Sequence, residues 1–178
     1  MTQNNAKETG MSARPELEGR NLWNELMALR DQQRNEKASG IQVVRRKDLP
    51  EELNSQGLMR WYMHPAIKDI VLSTLAIHEQ TIPPGSRSGR LQFQGGQIIF
   101  IVEGSGYTTI DGVKYKWKAR DVLNLPLKKE GIIVQHFNAG EGDARLLVVE
   151  PNLFAATGVD RGCGFEQLEQ SPDFLKQA

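Results

Sequence analysis

The sequence predicts an all-β fold, an antiparallel sandwich or barrel preceded by an N-terminal helical extension. Two observations carry that expectation. From Arg60 onward the chain breaks into short runs rich in β-branched and aromatic residues, punctuated at regular intervals by glycine, proline and aspartate. Before that point the apolar residues recur at helical spacing instead.

Residues 1–13 are polar and patternless and are expected to be disordered. Leu22, Trp23, Leu26, Met27 and Leu29 fall on one broad face of a helix expected over about residues 15–36, stopped by Ser39-Gly40. That face, with its tryptophan, must pack on the chain's own barrel or on a second subunit. Residues 41–44 read as a short strand. Asp48-Leu49-Pro50-Glu51 has the capping aspartate, first-turn proline and acid of a helix start, so a short helix is expected before Gly57. Strands are expected at 71–77, 90–94, 97–102, 107–110, 113–118, 121–125, 131–138 and 144–150. Turns fall at 82–85, 95–96 and 103–106, and Asp111-Gly112 is a strong two-residue hairpin signal. After Pro151 the signals weaken to a turn of helix at 153–156 and a glycine-rich loop around Cys163. The expected organisation is a disordered tail (1–13), a helical extension (14–58), the barrel (59–152) and a C-terminal tail (153–178).

Composition bounds the function. Among the 178 residues, Lys plus Arg and Asp plus Glu both count 22. With no basic excess, neither nucleic acid nor an anionic membrane is an expected partner. The single Cys163 excludes an internal disulfide and a cysteine-rich metal site. No secretory apolar segment opens the chain, and no run approaches the roughly 18 apolar residues of a membrane helix. A cytoplasmic location is the expectation.

Strand side chains alternate between two faces. Lys114, Lys116 and Lys118 share one face of their strand and must meet water, which directs Val113, Tyr115 and Trp117 inward. Leu91 and Phe93 point inward against Arg90, Gln92 and Gln94. In residues 132–138 the alternation leaves open whether Ile132, Val134, His136 and Asn138 or the intervening set is inside. His78 is on the opposite parity from Val71, Leu75 and Ile77 and is expected to face out.

Pro84-Gly85, Gly95-Gly96, the run from Ile98 through Glu103-Gly104-Ser105-Gly106, Asp111-Gly112, Asp121, Pro126 and Gln135-His136-Phe137-Asn138 together resemble the cupin superfamily over roughly residues 60–150. With Arg60-Trp61-Tyr62-Met63-His64-Pro65, the resemblance is to gentisate dioxygenase-like single-domain members. It implies a cupin-type antiparallel β-barrel, or jelly roll, that pairs side by side as a homodimer or higher homo-oligomer. It also implies a divalent metal such as Fe²⁺ on three histidines and a glutamate. Here the two histidines of the first motif correspond to Leu91 and Phe93, its glutamate to Gln97, and the histidine of the second motif to Val134. All four ligand positions are substituted. Leucine, phenylalanine and valine have no donor atom, and burying each stabilises the barrel by roughly 1.5–3 kcal/mol. His136 is the further histidine that this subgroup often carries.

The expected function is therefore that of a metal-free barrel. It would bind a small, partly apolar molecule in a cavity lined by Leu91, Phe93, Gln97, Val134, His136 and Asn138, with Tyr115 and Trp117 nearby, or act as a non-catalytic subunit. The alternative is an oxidoreductase resembling an aromatic ring-cleaving dioxygenase. It would have an atypical metal site, His136 as catalytic residue, and His64, His78 and His136 as relocated ligands. A third possibility is an assembly role in which the Trp23 helix docks on another subunit.

Overall fold

The computed structural model describes residues 14–152 and 164–177. The expected disorder of 1–13, the turn at 153–156 and Cys163 lie outside them. The chain forms two compact units, one ending at Asn35 and one beginning at Glu36.

Pro15–Leu17 is a single 3-10 turn, and helix α1 runs from Leu22 to Ala38. The helix starts later than its apolar spacing suggested. Gly19 sits at φ +73°, and Asn21 caps the helix, its Oδ1 accepting from Asn24 N at 3.0 Å. No residue of α1 is buried, and its apolar face, Leu22, Trp23, Leu26 and Leu29, is exposed. Among the described residues no helix is long and apolar enough to cross a membrane.

The second unit is a jelly roll of two antiparallel sheets. One has the order β1-β2-β3-β10-β5-β8 and the other β11-β4-β9-β6-β7. The strands are β1 (Glu52–Asn54), β2 (Gly57–Met63), β3 (Leu75–Ile82), β4 (Arg90–Phe93), β5 (Ile98–Glu103), β6 (Ser105–Ile110), β7 (Val113–Lys118), β8 (Val122–Asn124), β9 (Ile132–Asn138), β10 (Ala144–Pro151) and β11 (Glu166–Glu169). A four-residue helix, α2 (Pro172–Leu175), follows and is capped by Ser171. Between β5 and β6 the chain crosses from one sheet to the other on a single sharp turn. Gly104, at φ +86°, is the whole connection between β5 and β6.

Four sequence expectations are corrected. Residues 41–44 form only an isolated bridge, Ile41 to Ile70, rather than a strand. Residues 48–57 hold no helix: a 3-10 turn (Arg46–Asp48) leads into the β1–β2 hairpin, because pairing with β2 and β3 overrides the capping signal at Asp48. Strand β3 begins at Leu75, not Val71. Strand β11 and helix α2 occupy a stretch in which no element was expected.

The core lies between the sheets, with Ile99, Ile101, Ile132, Ala144 and Leu146 almost completely buried. It settles the two faces of β9. Ile132, Val134, His136 and Asn138 are buried on the inner side, while Ile133 is exposed. In β3 it reverses the expected parity: Ala76, His78, Gln80 and Ile82 are the inner set. The apolar Ile77 instead belongs to the outer face, beside Tyr62 and Leu147. There Glu79 is also buried, held by Arg46 Nε at 2.7 Å. A strand covered on both faces loses the alternation from which direction is read.

The Gly95-Gly96 turn joins β4 to β5 and lies against Pro126. At φ +88°, a Cβ on Gly95 would collide with the Pro126 carbonyl oxygen, whereas one on Gly112, at φ +82° in the β6–β7 hairpin, would meet open space. Gly112→Ala is expected to cost about 1 kcal/mol for the left-handed backbone alone. Gly95→Ala is expected to cost about 3 kcal/mol, because steric overlap adds to the same backbone penalty. Urea unfolding midpoints measure both, and equal losses would contradict the close approach at Gly95.

Candidate functional site

Strands β4 and β9 pair with Leu91 opposite Val134 and Phe93 opposite Ile132. Leu91, Phe93 and Val134 thereby form one apolar wall of a cavity of about 610 Å³ inside the barrel, with Val148 of β10 and Met59 of β2 on its other sides. That volume lies within the ordinary range for small-molecule sites, about 300–1,000 Å³. Gln97 lines the same cavity, so the four positions that the resemblance assigns to metal ligands converge in space. Phe165 meets Phe93 edge-on with ring centroids 4.8 Å apart.

The polar side of the cavity comes from His136, His78, Gln80, Gln97 and Glu150. Gln97 Nε2 donates to Glu150 Oε2 at 2.6 Å, and both residues are buried. Burial raises the Glu150 carboxyl above its ordinary value, and the Gln97 amide only partly offsets this. His136 is held from two sides. Its backbone N–H donates to Ser88 Oγ at 2.9 Å, and its ring Nδ1 lies 2.7 Å from Thr108 Oγ1. Burial pushes its imidazole down to about 4. His78 is pushed down to about 3 by burial, with His136 adding to the effect. Both imidazoles are therefore neutral near pH 7. Buried Nδ1 of His78 has no hydrogen-bond partner among the described residues.

The mouth is tied by side chains that the sequence did not single out. Gln80 Nε2 donates to the Gln56 carbonyl at 2.7 Å, and Gln56 Nε2 donates to Gln167 Oε1 at 2.7 Å, linking the β1–β2 turn to β11. Trp61 stands between two histidines, its ring centroid 4.7 Å from that of His64 and 4.7 Å from that of His78.

Three of the residues expected at the site are placed elsewhere. Tyr115 is 46% exposed and Val113 55%, because β7 is an edge strand whose burial fades toward the hairpin tip. Trp117 is buried but lies behind the cavity wall, opposite Gly106, whose missing side chain leaves room for the indole. Asn138 is also buried but fully engaged: Nδ2 donates to the Ile82 and Gly142 carbonyls, and Oδ1 accepts from Gly140 N. It holds the β9–β10 turn. Conversely His78, expected outside, lines the cavity, as does Glu150. The signal for Glu150 was present, since it continues the inward parity of Ala144, Leu146 and Val148.

The resemblance implies a divalent metal, and the donor set does not fit one. Three of the four ligand positions have no donor, and the fourth offers only the neutral amide oxygen of Gln97, a poor ligand for Fe²⁺. Among the described residues no group of three His, Cys, Asp or Glu side chains is arranged to hold a metal ion.

No protein-family model matches the chain, and no curated protein matches it in sequence. Solved structures match it in fold. A polyketide cyclase from Streptomyces resistomycificus superposes with a TM-score of 0.56 at 15% identity, covering 76% of this chain and 91% of the cyclase. The coconut allergen cocosin gives 0.55 at 16% identity, covering 67% of this chain and 34% of cocosin. A cupin-like protein from Thermotoga maritima gives 0.51 at 16% identity, covering 70% of this chain and 93% of that one. At these identities the likeness establishes the fold.

The two depressed histidines make stability depend on pH. Below about 6.5 the unfolded chain takes up protons that the folded barrel refuses, so stability is lost as pH falls from 6.5 toward 4. Between pH 7 and pH 5 the loss is about 2 kcal/mol per histidine. Glu150, shifted upward, acts with the opposite sign and favours the folded state on acidification. In urea unfolding at the two pH values, His136→Gln is expected to reduce the loss and Glu150→Gln to steepen it. A stability that does not change between pH 7 and pH 5 would contradict the burial of both rings.

Proposed function

We propose that this cupin-fold barrel binds a small, uncharged and largely apolar molecule in its central cavity, without a resident metal. The observation that carries the reading is the lining itself. Apolar side chains stand at three of the four ligand positions, and the polar groups beside them are neutral imidazoles, amides and one carboxyl. Among the described residues, no lysine or arginine lines the cavity. An anionic ligand would therefore enter without a counter-charge and next to Glu150, at a high desolvation cost. This argues against a gentisate-like aromatic acid as the substrate.

A second reading is favoured by one observation: His64, His78 and His136 all line the cavity. It makes the barrel an oxidoreductase with a relocated metal. His64 Nδ1, however, accepts from Ala66 N at 3.1 Å, and His136 Nδ1 is engaged with Thr108. A metal on Nε2 of His64 would move the ring proton to Nδ1, where the Ala66 N–H now donates, so that hydrogen bond would be lost.

Two measurements decide between these readings. Elemental analysis of protein purified without chelator is expected to find no stoichiometric iron or manganese, and stoichiometric metal would sink the first reading. By calorimetry, 2-naphthol is expected to bind and 2-naphthoate, of equal size but charged, is not. Leu91→Trp, which fills the apolar wall, is expected to weaken 2-naphthol about tenfold or more.

A further inference from the structure

Trp117, Thr108 and His136 form a buried chain of hydrogen bonds whose direction is fixed by chemistry. The indole Nε1–H is a donor only, and it lies 2.9 Å from Thr108 Oγ1. Thr108 is completely buried, so no solvent reaches its hydroxyl. Having accepted from the indole, that hydroxyl must place its own hydrogen. Among the described residues the acceptor in reach is His136 Nδ1, at 2.7 Å. Nδ1 is therefore the bare nitrogen of a neutral imidazole, and the ring proton is on Nε2. The reverse arrangement would make Oγ1 accept twice and strand the hydroxyl hydrogen where nothing can receive it.

The ring edge carrying Nε2 is opposite the one that Thr108 holds, and His136 lines the cavity. Nε2–H has no partner among the described residues. The backbone on either side of the ring is also fixed. Ser88 N donates to the His136 carbonyl at 2.9 Å, and Ser88 Oγ accepts from its N–H. The donor is thus preorganised in direction as well as in protonation.

We infer that His136 is the specificity-determining residue of the cavity, a fixed N–H donor held in one tautomer by Thr108 and Trp117, and that the molecule it selects presents an uncharged carbonyl oxygen on an otherwise apolar body. The inference rests on the reading that the cavity binds a small molecule. Thr108 and Trp117 are positioning residues, since neither lines the cavity. Leu91, Phe93 and Val134 take the apolar body. Glu150, already receiving the Gln97 amide, disfavours a carboxylate in place of the ketone.

The test has two arms. The chain has only three histidines, so nitrogen-15 NMR of the imidazoles resolves each ring. His136 is expected in the Nε2–H form in the parent protein and in Thr108→Ser, which keeps the hydroxyl, and as a tautomer mixture in Thr108→Val. An Nδ1–H ring in the parent protein would overturn the inference. Calorimetry then compares 2-acetylnaphthalene with naphthalene. The ketone is expected to bind about three- to tenfold tighter, the equivalent of one hydrogen bond. That advantage should survive in Thr108→Ser and fall in Thr108→Val in proportion to the Nε2–H population that nitrogen-15 NMR finds there. Naphthalene makes no hydrogen bond and reports whether each variant still has its cavity. If naphthalene binds and the ketone gains nothing, the assignment of His136 is wrong while small-molecule binding stands. If neither binds, the small-molecule reading itself has failed, and the inference with it.

Discussion

Most polar atoms inside this barrel find a partner inside the barrel, His78 Nδ1 being an exception among the described residues, and the character of the cavity follows from how that pairing is made. Burial without a partner costs on the order of 1–3 kcal/mol per group. The structure meets the constraint with short internal chains: Gln97 to Glu150, Trp117 to Thr108 to His136, and Gln80 to the Gln56 carbonyl. Each chain consumes one end of a polar side chain and turns the other end, or nothing, toward the cavity. The result is a mostly apolar chamber with a few directed groups and no formal positive charge among its described lining residues.

The same constraint explains why the outer face of the six-stranded sheet is unusual. Glu79 points away from the core yet is buried, and it is held by Arg46 and approached by Arg145 at 3.6 Å. Around it lie Ile77, Tyr62, Leu147 and Val102. A face that is apolar and half covered outside the barrel inverts the ordinary cue that apolar means inward. This is how His78 came to be expected in solvent although it lies against Trp61 in the cavity.

Much of the site was legible in the chain. Alternation along β4 placed Leu91 and Phe93 on the inner face, the resemblance put Val134 at the fourth ligand position, and strand pairing sets Leu91 directly opposite Val134. Gln97 was legible as the one polar group among the four. Its pairing was not: parity along β10 turns Glu150 inward, but Glu150 is 53 residues from Gln97 and nothing local says that the two meet. Nor did the pattern separate Trp117 from Tyr115. They share a parity, but Gly106 opposite Trp117 lets one ring lie against the sheet while the other sits near an exposed hairpin tip. Asn138 looked like a site residue for its place beside His136, yet three backbone groups claim its amide.

By itself, the sequence determined the strand-and-turn rhythm from β4 to β10, the inward direction of Leu91 and Phe93, and the absence of donors at three of the four ligand positions. These are local properties: period-two alternation, the positive-φ turns at Gly95-Gly96 and Asp111-Gly112, and the side-chain chemistry of single residues. Only the tertiary structure decided that residues 48–57 pair as a hairpin instead of coiling, that β3 turns its histidine inward, and that the Thr108 hydroxyl lies between an indole and an imidazole. Those outcomes depend on which distant strand lies alongside. Cross-strand pairing outweighs a capping signal, and cover on a strand's outer face removes the alternation from which its direction could be read.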